Sequence, residues 1–169
     1  MSDPSGEGLV AVRILGFPLS AYAAAAEHQA ALAREFTLIA YRNGDGDRQA
    51  VPARLRDLVD TLTRRFSGLV DPQNAQRDQA MAEGRDSVDL EFHLPASARD
   101  ACLALLALLD EADEFCRSGD LLTLATPPDL VQFRRWYLGE FVRQVDGEAP
   151  RRWEDHQARD DGLCVPPRL

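Results

Sequence analysis

The chain has 169 residues, 45% of them hydrophobic and 28% charged, which is typical of one globular domain. It carries 28 acidic and 19 basic residues, for a formal net charge of -9, and every basic residue is arginine. The lack of lysine excludes a pyridoxal phosphate linkage, a Walker A lysine and an amine nucleophile. The acidic balance disfavours nucleic acid and anionic lipid as partners, and favours a neutral or cationic protein.

The ends of the chain and its cysteines predict a cytoplasmic protein. Residues 1–8 are polar and lack the apolar stretch of a signal peptide, so we expect a disordered N-terminus. The longest apolar run, 101–109, is far shorter than the roughly 20 residues of a membrane-spanning helix. Three cysteines, an odd number, do not form a disulfide framework. We therefore predict free thiols and no membrane association.

The first half of the chain predicts one strand and three helices. Val10, Val12 and Ile14 alternate in a mostly apolar run that Pro18 ends. Later apolar residues recur three and four apart, which is the helical period. We expect a buried strand over 9–17, helices over about 21–41 and 52–67, and, after a break at Gly68, a weaker polar helix over about 71–83.

The second half predicts a half-exposed strand, two helices and a possible third strand. Val88, Leu90, Phe92 and Leu94 alternate with Asp89, Glu91 and His93, so one face of that strand meets solvent. Prolines in the first turn and an acid at the third position favour a helix start after Thr126. We expect a strand over 87–94, a helix over about 97–117, a third strand over 120–125 and a helix over about 127–145.

These elements predict an α+β fold in which mostly helical structure packs on a small two- or three-stranded sheet. A helical bundle with a β-hairpin is the alternative. We expect a single domain over 9–146. The tail, 147–169, is rich in proline, arginine and aspartate and has no apolar period, so we expect it to be disordered and dispensable for folding, with Trp153 at most a weak anchor.

The sequence predicts no catalytic residues, metal site or cofactor. The loop over 43–47 places oxygens at alternate positions, as a calcium loop does, but Arg48 stands where glycine is required and Arg54 where the bidentate glutamate belongs. We interpret it as a solvated turn. Cys116 lies on an apolar helix face and is interpreted as an inert packing residue.

Four polar residues are weaker candidates for a site. His28 and Glu35 lie at the edge of one apolar stripe, two turns apart, so they cannot share a metal or a proton without a third group. Asp113 lies near the apolar stripe of its helix, and Asp120 lies in the connection to the next helix. A solvent-edge or structural role is the alternative for His28.

The last helix is the most informative segment. Arg134 falls in the middle of its apolar arc, so its charge needs a partner, for which Asp113 and Asp120 are the candidates. Trp136 falls on the other side, near Arg143, as an exposed interface anchor would. Packing against the tail is the alternative for Trp136. The candidate residues for an interface or a ligand are Arg134, Arg135, Trp136 and Arg143.

Two stretches resemble a group of small actinobacterial proteins of uncharacterised function. The similarity spans about residues 9–147 and transfers no activity and no functional residue. Members of that group are often encoded near anti-sigma-factor kinases, STAS-domain antagonists and PP2C-type phosphatases, so the resemblance implies a regulatory role. The stretches are Glu27-His28 with Arg34-Glu35-Phe36-Thr37-Leu38-Ile39-Ala40, and 116–128 continued by Phe133-Arg134-Arg135-Trp136-Tyr137-Leu138 and 140–144.

The leading hypothesis is therefore a non-enzymatic regulatory domain that binds a protein partner of unknown identity, in a stress or sigma-factor partner-switching pathway. The alternative is a sensor or enzyme domain that holds a small anion near Arg134, because a guanidinium amid aromatic residues can bind a carboxylate or a phosphate.

Overall fold

The described residues form two strands and five helices. The structure is a computed structural model that describes residues 8–42, 50–117 and 125–161. The strands pair into one two-stranded antiparallel sheet, and the α+β class is as predicted. In chain order the elements are β1 (Leu9–Pro18), α1 (Leu19–Arg42), α2 (Ala50–Ala82), β2 (Ser87–Pro95), α3 (Ala98–Arg117), α4 (Pro128–Val145) and α5 (Trp153–Asp161).

The sheet joins strands that are distant in the chain. Leu9 pairs with Pro95 at one end and Pro18 with Ser87 at the other. Because α1 and α2 lie between the strands, the alternative of a β-hairpin on a helical bundle is wrong. Most of the third strand predicted over 120–125 lies outside the described residues, and Ala125 has no regular structure.

A bulge interrupts β1 near its end. Between the pairs Ile14–Leu90 and Phe17–Val88, two residues of β1 oppose Asp89 alone. Gly16 has φ of 66°, a conformation that glycine adopts without strain, and its N–H donates to Asp89 Oδ1 at 2.6 Å. The bulge bends β1 and brings its buried end toward the helices.

Glutamine side chains bind the outer edges of the sheet. Gln144 of α4 accepts from the N–H of Arg13 and donates to its carbonyl, both at 2.8 Å. Gln76 of α2 donates to the carbonyl of Asp89 at 3.1 Å, and Gln73 donates to that of Glu91. Backbone groups at a sheet edge are templates for pairing with another chain, so these bonds protect both edges.

The core lies on the helix-covered face of the sheet. Alternation along β2 buries its apolar side chains and exposes Asp89, Glu91 and His93, as predicted. Phe17 of β1 packs edge-on against Phe133 and Tyr137 of α4, with ring centroids 5.5 and 5.2 Å apart. The buried sheet residues are Val12, Ile14, Phe17, Val88, Leu90, Phe92 and Leu94, and they pack with Phe133, Trp136, Phe141 and Trp153.

Two boundaries differ from the predictions. The expected break between 68 and 71 is wrong, because α2 runs unbroken through Pro72. A proline inside a helix removes one hydrogen bond, but Phe66 and Val70 before it and Ala80 after it all pack on the main core. Tertiary packing on both sides of Pro72 therefore offsets the local cost. The prediction of a disordered tail is also wrong for 153–161, because these residues form α5.

Candidate functional site

Helix α4 carries the four residues that the sequence singled out as an interface or ligand site. Its apolar arc faces the sheet and α3, as the predicted helical period requires. Arg134 and Trp136 are buried, Arg143 is largely buried, and Arg135 is exposed. The four residues therefore do not form one surface, and they divide into two separate groups.

The first group is centred on Arg134, which is 8% exposed. Its Nη2 donates to Asp113 Oδ2 at 2.8 Å and to Asp110 Oδ1 at 2.6 Å. Asp113 is one of the two predicted partners, and Asp120 lies outside the described residues. Asp110 was not predicted as a partner of Arg134. Its Oδ2 also accepts a hydrogen bond from Arg135 at 3.3 Å.

Asp113 is held from two sides. Oδ1 of Asp113 accepts from the backbone N–H of Thr126 at 2.9 Å and from its hydroxyl at 2.5 Å. Burial by itself raises the pKa of Asp113, but the hydrogen bonds from Thr126 and Arg134 outweigh it, so the pKa lies below its ordinary value of 3.8. The carboxylate stays ionised at neutral pH and holds the start of α4 against α3.

The two candidates on α1 contact this region at different points. Nε2 of His28 lies 3.2 Å from the hydroxyl oxygen of Thr126. Because that hydroxyl donates to Asp113, it accepts from His28. Glu35 is half-buried farther along α1. The pKa of the Cys116 thiol is raised, first by burial, then by the charge of Asp113 and then by the charge of Glu35. The structure thus links His28 to Arg134 through Thr126 and Asp113.

A small cleft lies beside this chain of hydrogen bonds. Its volume is about 20 Å³, which is room for about one water molecule and not for a metabolite. The Nε of Arg134 is buried and has no hydrogen-bond partner among the described residues. The cleft is lined by Ala25, His28, Gln29 and Leu32 of α1, by Leu109, Ala112 and Asp113 of α3, and by Thr126, Leu130 and Arg134.

The second group surrounds Trp136, whose predicted exposure is wrong. Trp136 is 3% exposed, because the tail folds back and places Trp153 against it with ring centroids 5.2 Å apart. Trp153 also packs edge-on against Phe133, at 5.9 Å, and is itself buried. The expectation that Trp153 is at most a weak anchor is therefore wrong, because one large aromatic residue joins an otherwise polar segment to the core.

Polar contacts add to this anchor. Nε1 of Trp136 donates to the carbonyl of Arg151 at 3.2 Å, and Oε2 of Glu140 accepts from the N–H of Arg151 at 3.0 Å. Arg143 donates to Glu140 Oε1, to Glu148 Oε2 at 2.9 Å and to the carbonyl of Ala149 at 2.9 Å. Arg143, a predicted interface residue, thus binds the chain's own tail.

Sequence reasoning missed Glu140 and Gln144. Glu140 is 2% exposed, and Nε2 of Gln144 donates to its Oε2 at 2.9 Å. The spacing of Glu140, Arg143 and Gln144, three and four residues apart, puts them on one helix face and was the available signal. Nothing in that spacing indicated that a backbone segment would cover them.

A third feature is an apolar row on α2. Leu55, Val59, Leu62 and Phe66 are spaced four, three and four residues apart and so share a face. Leu55 packs against the cluster of Leu32, and Phe66 packs against the main core. Val59 lies between them but is 44% exposed, and the other three are only half-buried. The four residues belong to the apolar period that predicts the helix over about 52–67, and their burial is incomplete.

No metal site is found within the described ranges, where no three histidine, cysteine, aspartate or glutamate side chains form a group that could hold an ion. The calcium-like loop over 43–47 lies outside those ranges.

Burial raises the pKa of Cys102 to about 12. None of the helices in the described parts of the chain is long and apolar enough to cross a membrane.

Comparison with protein-family models, with curated proteins and with solved structures finds no match for this chain.

Proposed function

We propose that this chain is a non-enzymatic, cytoplasmic regulatory domain that binds another protein through the apolar row of α2. The single observation that carries the proposal is the exposure of Val59 within a row of half-buried apolar residues whose two end members, Leu55 and Phe66, pack on the core clusters. A contiguous row of apolar side chains whose burial is incomplete is typical of a surface that a second molecule covers.

The occupant that we propose is an amphipathic helix of a neutral or basic partner. A row of apolar residues at helical spacing is complementary to the apolar face of another helix. The net charge of -9 favours a partner of neutral or opposite charge, since charge complementarity speeds encounter and disfavours acidic competitors.

The biological setting that we propose is a stress or sigma-factor partner-switching pathway. The support is the sequence resemblance over about residues 9–147 to proteins that are often encoded beside such regulators. Thr126 and His28 form a hydroxyl–histidine pair at 3.2 Å, but the hydroxyl donates its proton to Asp113, so His28 does not act as its base.

The test compares two glutamate substitutions on α2. Val59→Glu puts a charge into the row, whereas Ala53→Glu puts the same charge on an exposed position of another face of α2. A partner is first captured from native cells, identified and purified, and its affinity for each variant is then measured by calorimetry. We expect Val59→Glu to weaken binding at least tenfold, about 1.4 kcal/mol, with Ala53→Glu close to wild type.

Two results would contradict the proposal. Equal binding by both variants would show that the row is not the interface. A dimer of this chain that Val59→Glu dissociates in light scattering would make the occupant a second copy. Thermal melting of both variants must match wild type, which the exposure of both positions leads us to expect.

The second candidate is a small-anion sensor that uses Arg134. Its support is the buried Nε of Arg134, which has no partner among the described residues. Against it, Asp110 and Asp113 already neutralise the guanidinium, so an anion gains little attraction. Thermal shift with acetate and inorganic phosphate tests it: a stabilisation that Arg134→Met abolishes would favour the sensor.

A further inference from the structure

The C-terminal segment, residues 148–161, is bound through its backbone as well as through side chains such as Glu148, which accepts from Arg143 at 2.9 Å. Glu140 and Trp136 bind the N–H and the carbonyl of the same residue, Arg151, at 3.0 and 3.2 Å. Arg143 binds the carbonyl of Ala149 at 2.9 Å. Main-chain hydrogen bonds combined with a pocket for one side chain are a feature of peptide recognition, in which affinity comes from the main chain and specificity from the pocket.

The pocket holds the side chain of Trp153. The rings of Phe133 and Trp136 lie 5.9 and 5.2 Å from it, edge-on and tilted, as aromatic pairs prefer. Across 148–158, Trp153 is the one buried residue, and the others are exposed or half-buried. The segment is therefore joined to the core by one apolar anchor.

Release of the segment would leave no buried charge unpaired. Glu140 loses the N–H of Arg151 but keeps Arg143 and Gln144, both on its own helix. The end of α4 is closed by its own backbone bonds, such as that from the Asp146 N–H to the Val142 carbonyl. Trp136 Nε1 and Arg143 lose the carbonyls of Arg151 and Ala149, but release opens these donors to water, so the loss of the Trp153 contacts dominates the cost of opening.

We infer that α4 carries a groove for a peptide with a tryptophan anchor, and that the chain's own C-terminal segment occupies this groove as a removable latch. The partner chemistry that fits is a tryptophan preceded, two positions earlier, by a residue with a free backbone N–H. The groove is distinct from the α2 row, so the inference goes beyond the proposed function and does not depend on it.

The test uses the full-length chain and a fluorescein-labelled peptide of residues 148–158. The Trp153→Ala protein, whose latch has lost its anchor, should bind the peptide, and wild type should bind it at least tenfold more weakly because the groove is occupied. Two control peptides separate the contacts: one carries Trp153→Ala, and the other an N-methyl group on Arg151 that removes its N–H. Both should bind at least tenfold more weakly than the parent.

Two outcomes would overturn the inference. One is no peptide binding by a Trp153→Ala protein that circular dichroism finds folded. The other is equal binding of the N-methylated peptide, which would mean that Glu140 does not recognise the backbone.

Hydrogen exchange of wild-type protein decides the matter if Trp153→Ala fails to fold. The amides of Arg151 and His156, which donate to Glu140 and to the carbonyl of Arg152, should exchange at least 100-fold faster than the core amides of β1 and β2. Equal protection would mean that the segment opens only when the whole domain unfolds, and there would be no latch.

Discussion

Replacing Asp113 tests whether the Arg134 pair stabilises the fold. The side chains of Arg134 and Asp113 are 8% and 3% exposed, and breaking such a buried pair from one side costs about 3–5 kcal/mol. Asp113→Asn keeps an oxygen that can accept from Thr126, so we expect the low end, about 3 kcal/mol. Asp110→Asn is the matched control: its carboxylate is 46% exposed, and exposed pairs contribute about 0–1 kcal/mol.

The assay is urea unfolding followed by circular dichroism for wild type, both aspartate variants, Arg134→Met and the double variant Arg134→Met/Asp113→Asn. If the two side chains stabilise the fold mainly through each other, the double variant should be less destabilised than the sum of the single changes by about 1–3 kcal/mol. A loss for Asp113→Asn no larger than that for Asp110→Asn, or single changes that simply add, would refute a buried, coupled pair.

Three further predictions concern the same core. Because the pKa of Asp113 is lowered in the folded protein, the ionised carboxylate stabilises the fold fully above about pH 4, and this stabilisation is lost as the pH falls through the folded-state pKa. The Asp113→Asn variant should therefore lose less stability than wild type during acid titration. Trp153→Ala should cost up to about 3–5 kcal/mol and lower the melting temperature by roughly 6–15 °C while the domain stays folded, and an unchanged melting temperature would show that the tail does not pack on the core. Because burial raises the pKa of Cys102 to about 12, iodoacetamide near neutral pH should alkylate this thiol at least about 100-fold more slowly than in the unfolded chain. Mass spectrometry of the Cys102 peptide measures the rate, and alkylation at the unfolded rate would show an accessible thiolate.

The sequence determined the features that depend on periodicity and on the cost of a buried charge. The strict alternation over 87–94 specified β2 and its exposed face, because successive strand residues point to opposite sides. The 3.6-residue period specified α4 and its buried arc. Within that arc Arg134 required an acidic partner, and Asp113 was one of two that the chain order allowed.

Tertiary structure decided which surfaces of these elements are covered, since a repeating pattern identifies residues on one face but not what lies opposite. The 147–161 tail has no apolar period, and yet Trp153 packs against Trp136 and α4 side chains hydrogen-bond residues 148–151, so the tail is attached to α4. Pro72 predicts a helix end locally, but packing on both sides of it carries α2 through. Val59 belongs to the clearest apolar stripe and remains exposed. Each outcome depends on contacts between residues far apart in the chain, and these arise only when the helices meet the sheet.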